Sequence, residues 1–138
     1  MSNPVPDADY EMLADFRYAL RQFLRFSEEA AREAGLTPHQ HQALLAVRGF
    51  RGRDKITIGE LSERLQIRPH SAVGLVDRLS GQKLLIRESG IEDRRQVYVR
   101  ITERGAELLE KLAAVHQSEL KRVGPRLGSL LHQLIGND

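Results

Sequence analysis

The segment from Thr57 to Thr102 constrains the fold of this chain more than any other feature. It carries two short amphipathic helical patterns, Thr57 to Leu65 and Arg68 to Leu79, followed by a hairpin that reads Glu92-Asp-Arg-Arg95 at its tip. Two short helices joined by a tight turn and followed by a two-stranded ribbon form a surface that fits a DNA groove. The segment therefore predicts a winged helix-turn-helix.

The distribution of charge along the chain favours the same interpretation. The 138 residues carry a net charge of only +2, but the part from Arg48 to Arg104 holds 13 Lys or Arg and 8 Asp or Glu, a net of +5. Positive charge is therefore concentrated where phosphate groups would have to be neutralised. A solvated basic face explains the charge alone equally well, so the motifs have to decide.

Several function classes are excluded or disfavoured by composition. The chain has no cysteine, which excludes disulfides, thiolate metal sites and cysteine redox switches. No apolar run approaches the ~18 residues that a membrane span needs, and the N-terminus does not read as a secretion leader, so we expect a cytoplasmic protein without a membrane partner. We also find no phosphate-binding glycine loop and no catalytic or metal triad, so we expect neither an enzyme nor a cofactor.

The periodicity of apolar residues predicts a mainly α fold with a small β wing. A long helix is expected from about Asp9 to Ala34, ended by Gly35. Another helix follows Thr102, and we expect Gly124-Pro125 to interrupt it before a short final helix. A helix of ~25 residues is unusual in so short a chain unless it has a partner, so the terminal helices are expected to form an intermolecular seam.

Local signals set the expected ends of the inner elements. Thr37 and Thr57 each open a capping box, and Thr102 is expected to cap the helix after the hairpin. Strands are predicted at 84–88 and 97–101, and Ile56 is a candidate for a short third strand. Gly81 is expected to supply the left-handed residue that ends the second helix of the helix-turn-helix.

The second helix of the helix-turn-helix has one apolar and one polar face. The apolar residues that we expect to be buried are Ala72, Val73, Val76 and Leu79. The outward residues are therefore expected to be His70, Ser71, Gly74 and Arg78. Arg68 stands at the N-cap, where Ser or Asp would provide a cap worth ~1 kcal/mol, and instead places a charge near the DNA.

Three motifs in order carry a resemblance to a known family. They are Val76-Asp-Arg-Leu79, the tip Asp93-Arg-Arg95, and Ile101-Thr-Glu-Arg-Gly105. With the order of elements from about Tyr10 to Leu134, the chain resembles the MarR family of bacterial transcription regulators. It departs from the family at Gly74-Leu75, where Ser or Thr followed by Arg is frequent, and at Lys83, where glycine is usual.

The resemblance implies a single MarR-type domain over residues 1–138, with dimerisation helices at 9–35 and 102–136 and a winged-helix DNA-binding lobe at 37–101. It implies a homodimeric repressor that binds a near-palindromic operator and is commonly released by a small ligand. The expected DNA-binding residues are Arg68, His70, Ser71, Gly74, Arg78, Arg87, Arg94 and Arg95.

Within the hairpin, the resemblance also implies a division of labour between the two arginines. We assign Arg94 to the minor groove, because arginine suits a narrow minor groove. In the family the wing aspartate and the second arginine hold the ribbon against the recognition helix. Arg95 is therefore assigned, with Asp93 and Asp77, to bracing the wing as well as to the DNA-binding surface.

The effector and the mode of control stay open at this point. Tyr18, Phe23, Phe26 and His41 are candidates to border a pocket for a small aromatic or lipophilic effector, although aromatics at helical spacing are more often core. His39 and His41 are two residues apart on a predicted helix and so face different ways, which argues against a metal site. The alternatives are a non-sequence-specific nucleoid-type protein and a regulator controlled by a protein partner or a metal.

Overall fold

The computed structural model describes residues 4–136, and the predicted domain limits at residues 1 and 138 lie outside this range. The described part is mainly helical with a small sheet, which confirms the predicted fold class. In chain order its elements are α1 Asp7–Glu33, α2 Pro38–Arg48, β1 Ile56–Thr57, α3 Ile58–Leu65, α4 Pro69–Gly81, β2 Leu85–Ser89, β3 Val97–Ile101 and α5 Glu103–Ile135.

The chain divides into two compact units. We call Met1–Ala30 together with Ala114–Asp138 the helical unit, and Ala31–Ala113 the winged-helix unit. The winged-helix unit contains α2, α3, α4 and the sheet, and α1 and α5 each run from one unit into the other.

The winged-helix unit is organised around a core that its helices and sheet share. The largest fully buried side chains come from α2, α3, α4, β1 and β3: Leu44, Val47, Ile56, Leu61, Val76, Leu79 and Val99. Removing apolar surface from water contributes about 25 cal/mol per Å², so these side chains anchor the elements that carry the polar face.

The sheet is antiparallel, with β3 between β1 and β2. Ile56 lies opposite Val99, so the predicted third strand is confirmed. On the other side of β3, Leu85 lies opposite Ile101 and Ser89 opposite Val97. The hairpin is therefore joined at its base to the segment that leads into α3.

The predicted helix starts and the stop of α1 are confirmed by their hydrogen bonds. The backbone N–H of Thr37 donates to Gln40 Oε1 at 3.0 Å, and the N–H of Thr57 donates to Glu60 Oε1 at 2.9 Å, each within a complete capping box. Thr102 Oγ1 accepts from the backbone N–H of Gly105 at 3.0 Å. Gly35 has the left-handed φ of 82° that ends α1.

The predicted interruption of the last helix is wrong. Helix α5 is continuous for 33 residues and contains Pro125 in its interior. A proline ring fixes φ near the helical value, so Pro125 fits the helical backbone although it removes one hydrogen bond and crowds the preceding turn. The residues of the expected short final helix therefore belong to α5.

The end of α4 also differs from the prediction. Gly81 is the last helical residue, and Lys83 adopts the left-handed conformation with a φ of 63°. The backbone N–H groups of Lys83 and Leu84 donate to the carbonyls of Ser80 at 3.0 Å and Leu79 at 2.9 Å. Because the N–H of Leu84 closes the helix, β2 begins one residue later than predicted, at Leu85.

The helical unit contains an aromatic cluster around His116. The rings of Phe23 and Phe26 lie edge-on to the imidazole, with centroids 6.1 Å and 5.5 Å away. Nε2 of His116 is 2.8 Å from Ser27 Oγ, and Ser27 is buried. These two phenylalanines therefore pack within the unit.

Among the described residues, no helix is long and apolar enough to cross a membrane.

Candidate nucleic-acid interface

Helices α3 and α4 form the helix-turn-helix, with Gln66 in the left-handed conformation between them at a φ of 55°. The buried residues of α4 are Ala72, Leu75, Val76 and Leu79. This set has the i, i+3, i+4, i+7 spacing of one helix face. The predicted stripe was wrong at one position, because Val73 is only half-buried and Leu75 takes its place.

The opposite face of α4 carries the polar residues that the spacing predicted. His70, Ser71 and Arg78 are exposed, and Gly74 is half-buried. A Cβ atom built on Gly74 would have no neighbour within 4 Å, so this part of the face is open. Arg68 at the N-cap makes no side-chain capping bond, which leaves its guanidinium at the exposed start of the helix.

The tip of the wing is shaped by short-range bonds. The backbone N–H of Gly90 donates to the carbonyl of Gln96 at 2.9 Å, and the N–H of Gln96 donates to the carbonyl of Asp93 at 3.0 Å. A Cβ on Gly90 would lie 2.5 Å from the carbonyl oxygen of Asp93. The tip therefore needs glycine at this position.

The two arginines of the tip have different surroundings. Arg94 is exposed and makes no ion pair with any residue in the described range. Arg95 is 93% exposed, and both its backbone N–H and its Nε donate to Asp93 Oδ1, at 3.0 Å and 3.3 Å. The bracing by Arg95 is thus local to the tip.

The contact between the wing and α4 is made by another arginine. The guanidinium of Arg87, on β2, donates to Asp77 Oδ1 on α4. Asp77, grouped with Arg95 and Asp93 as a bracing residue, is thus paired with Arg87. Arg87, expected to bind DNA, is engaged in this pair.

The base of the wing contains charged residues that the sequence analysis did not select. Arg100 on β3 donates from Nη1 to Asp54 Oδ2 at 2.6 Å and from Nη2 to Glu88 Oε1 at 2.9 Å. Lys55 Nζ lies 3.3 Å from the same oxygen of Glu88. The pKa of Glu88 lies below its ordinary value, mainly because Arg100 donates a hydrogen bond to it and secondly because Lys55 does. The hydrogen bond to Glu88 in turn raises the pKa of Arg100.

A second pair lies at the start of α3. The Arg53 guanidinium donates to Glu60, and it also lies over the rings of Phe50 and Tyr98 at 4.9 Å and 5.9 Å. Partial burial raises the pKa of Glu60, but hydrogen bonds from Thr57 and Arg53 outweigh it, and the pKa is lowered. The carboxylate therefore stays charged at neutral pH beside the helix N-terminus.

Residues 34–96, which contain the helix-turn-helix and most of the wing, match a family model described as the MarR family. Over this segment the chain is similar to the MarR family. Its relatives include the uncharacterized HTH-type transcriptional regulator YkoM of Bacillus subtilis, which is 28% identical over 110 residues, 78% of this chain and 70% of YkoM. The HTH-type transcriptional repressor MdtR of the same organism is 22% identical over 116 residues, 81% of this chain and 73% of MdtR.

Solved structures show the same MarR-family fold. AbsC, a MarR family transcriptional regulator from Streptomyces coelicolor, matches with a TM-score of 0.77 at 21% identity, covering 91% of this chain and 84% of AbsC. The two relatives are named as transcriptional regulators, and the solved structure shares the fold of this chain.

The four candidate residues for an effector pocket do not lie together in one pocket. Tyr18 and Phe26 line an open groove of about 610 Å³ in the helical unit, together with Arg25, Arg122 and Arg126. Phe23 packs on His116 instead, and His41 is buried within the winged-helix unit. Within the described residues, no group of three or more His, Asp or Glu side chains is placed to hold a metal ion.

The ion pairs of the wing could not be predicted from the sequence, for one common reason. Arg100 and Asp54 are 46 residues apart, and Arg87 and Asp77 are ten residues apart in different elements. Opposite charges at such separations carry no periodic signal. The one available signal was the alternation of β3, which put Tyr98 and Arg100 on a common face opposite to that of Val99.

Proposed function

We propose that this protein is a homodimeric MarR-family repressor that binds a near-palindromic operator, with α4 in the major groove and Arg94 in the minor groove. Two observations carry the proposal: the exposed polar face of α4, and an exposed Arg94 with no ion pair among the described residues, on a wing that Asp77 and Arg87 join to α4. The name of the relative MdtR, a transcriptional repressor, supports repression.

The residues of α4 divide into those that read bases and those that bind phosphate. His70 and Ser71 lie in the first turn, the part of a recognition helix that enters the groove most deeply. Arg78 lies two turns later and is placed for a phosphate. We assign Arg87 to bracing rather than to DNA, since its guanidinium is occupied by Asp77.

The distribution of apolar surface supports the homodimer. Of the described apolar residues in the helical unit, only Ala19 and Leu130 are buried in the single chain. Exposed large apolar residues of this unit include Leu13, Leu24, Leu120, Leu131 and Ile135. An exposed apolar surface of this kind is expected to be covered by another protein surface. A second copy of the chain is the occupant that we propose, because a two-fold dimer matches the symmetry of a palindromic operator.

We also propose a small-molecule effector. Tyr18 and Phe26 line a groove in the helical unit and suit a small aromatic ligand. Arg25 and Arg122 of the same groove are paired with Glu29 and Glu119, so they do not select an acidic ligand. Because a regulator of this kind acts on the chromosome, we also propose that it works in the cytoplasm.

Selection from a random DNA pool with the purified protein tests the proposal. We expect an enriched near-palindromic sequence that the protein prefers over random DNA by about 10³-fold or more. A nucleoid-type protein would enrich no sequence and show no such preference, which would contradict the proposal.

Variants of α4 in the same selection test the division of the helix. Replacing His70 or Ser71 by Ala should change the preferred bases, because these residues face the base edges. Replacing Arg78 by Ala should lower affinity for all sequences alike and reduce the salt slope by about one. A changed base preference for Arg78→Ala, with an unchanged one for the His70 and Ser71 variants, would mean that α4 docks differently.

A further inference from the structure

We propose that Arg100 is a positioning residue for the wing: it holds the β2–β3 ribbon against the loop before α3, so that Arg94 meets the minor groove when α4 occupies the major groove. The proposal rests on the proposed function, and names the residues that set the geometry of the wing contact. Arg100, Asp54, Lys55 and Glu88 were not selected from the sequence.

The guanidinium of Arg100 joins two segments that are distant in sequence. Nη2 donates to Glu88 on the neighbouring strand at 2.9 Å, and Nη1 donates to Asp54 in the loop before β1 at 2.6 Å. Arginine suits this task, because its planar fork presents several donors in fixed directions. One side chain therefore ties the ribbon to the loop.

Lys55 adds a second tie between the same segments. Its Nζ lies 3.3 Å from Glu88 Oε1 and 4.6 Å from the centroid of the Tyr98 ring. Tyr98 lies opposite Glu88 in the register of β2 and β3. The Lys55, Glu88 and Arg100 side chains are only 24%, 37% and 38% exposed, so water screens them less than a fully exposed group.

The ties continue from the loop to the helix-turn-helix. Arg53 bonds to Glu60, the third residue of α3, and its guanidinium also lies over the Tyr98 ring of the wing. We call Arg53, Asp54, Lys55, Glu88 and Arg100 the wing-base network. It connects both wing strands with the start of α3, while Asp77 and Arg87 connect β2 with α4.

A small tilt of the ribbon at its base displaces the tip of the wing by a larger distance. Arg94 is six residues from Arg100, and at about 3.3 Å per residue the two are separated by roughly 15–20 Å along the ribbon. A tilt of about 10° then moves the Arg94 end by about 3 Å, the length of a hydrogen bond. The direction of the wing thus decides whether Arg94 reaches the groove.

The ion pairs are expected to matter for direction more than for folding. Pairs at a protein surface contribute little to the free energy of unfolding, because water competes with them. Arg100→Gln should therefore leave the protein folded, with its core residue Val99 still buried. Its consequence should appear where the wing meets DNA.

A double-mutant cycle with Arg94 tests the proposal, using the DNA that the wild type selects. We expect Arg94→Ala to weaken binding by roughly tenfold or more, and Arg100→Gln by roughly three- to tenfold. In the Arg94→Ala background, Arg100→Gln should weaken binding less than twofold further, since the wing contact is already lost. Arg21→Gln, which removes an exposed arginine from the helical unit, is the control and should not change binding.

Two results of the cycle would overturn the proposal. Equal losses from Arg100→Gln with and without Arg94 would show that the two residues act independently. A salt slope reduced by about one in the Arg94→Ala background would show that Arg100 itself binds a phosphate.

Amide exchange of the DNA-free protein gives a readout that does not depend on the proposed function. Arg100→Gln and Glu88→Gln should each speed exchange at least severalfold in β2 and β3 but not in α4. Unchanged exchange in both variants would overturn the proposal. If the wild type selects no DNA sequence, the proposed function fails, while exchange still decides whether the network holds the wing.

Discussion

Lys83 follows α4 in a backbone conformation that glycine adopts more easily. Its φ is 63°, which costs a residue with a Cβ roughly 1–2 kcal/mol. Lys83→Gly should remove this cost. Part of the gain is offset, because glycine has more conformational entropy in the unfolded chain. We expect the free energy of unfolding to rise by about 0.5 kcal/mol, measured by urea denaturation.

Gly81 is the matched control for this substitution. It lies within α4, and a Cβ there would have no neighbour within 4 Å. Gly81→Ala should therefore stabilise the protein by about 0.5–1 kcal/mol through helix propensity. A loss of stability with Lys83→Gly would contradict the argument about the left-handed residue.

At the scale of residues, the sequence predicted what depends on near neighbours. Thr37 and Thr57 were identified as caps because the residues that complete each box are three positions away. Asp77 was grouped with Arg95 and Asp93 as a bracing residue, and Arg87 was expected to bind DNA, but the structure pairs Asp77 with Arg87. Which arginine reaches a carboxylate depends on the register of the hairpin, and no local pattern encodes that register.

At the scale of elements, the start of α5 is fixed to the wing by a close backbone contact. The carbonyl of Leu84 accepts from the backbone N–H of Thr102 at 3.1 Å and from its Oγ1 at 3.1 Å. A Cβ on Gly105 would lie 2.3 Å from that carbonyl oxygen. This contact accounts for the glycine in the motif Ile101-Thr-Glu-Arg-Gly105.

Gly105→Ala should therefore destabilise the protein although alanine favours helices. Because the blocking atom belongs to the backbone, we expect a loss of about 1–3 kcal/mol, as for an overpacked core. Gly124→Ala lies in the same helix with open space around its Cβ and should stabilise by about 0.5–1 kcal/mol. Thermal unfolding of both variants checks the pair, and equal shifts in Tm would refute the role of the contact.

The elements themselves were largely predictable, and the exceptions have physical reasons. The strands and the helix-turn-helix follow from two-residue and 3.6-residue periodicity, which burial in one core enforces. The break expected at Pro125 did not occur, because a proline removes one bond while the helix retains the others. A breaker residue thus says less about a long helix than the apolar spacing on both sides of it.

At the scale of the whole molecule, the two units differ in how much apolar surface they bury. Most of the buried apolar residues lie in the winged-helix unit, whereas most of the exposed large apolar residues lie in the helical unit. The winged-helix unit therefore has its own hydrophobic core in the single chain. The helical unit is expected to gain its core from a second copy, and specific operator binding would then depend on assembly.

Substituting one exposed leucine in each unit tests this dependence. Leu131, in the helical unit, and Leu45, in the winged-helix unit, are both 45% exposed in the single chain. If the helical unit forms the dimer seam, Leu131→Asp buries a charge in it and should convert the dimer to monomer at micromolar concentration, as measured by light scattering. Leu45→Asp should leave the dimer intact. A folded wild-type monomer, or equal effects of the two substitutions, would refute the homodimer and with it the two-fold reading of a palindromic operator.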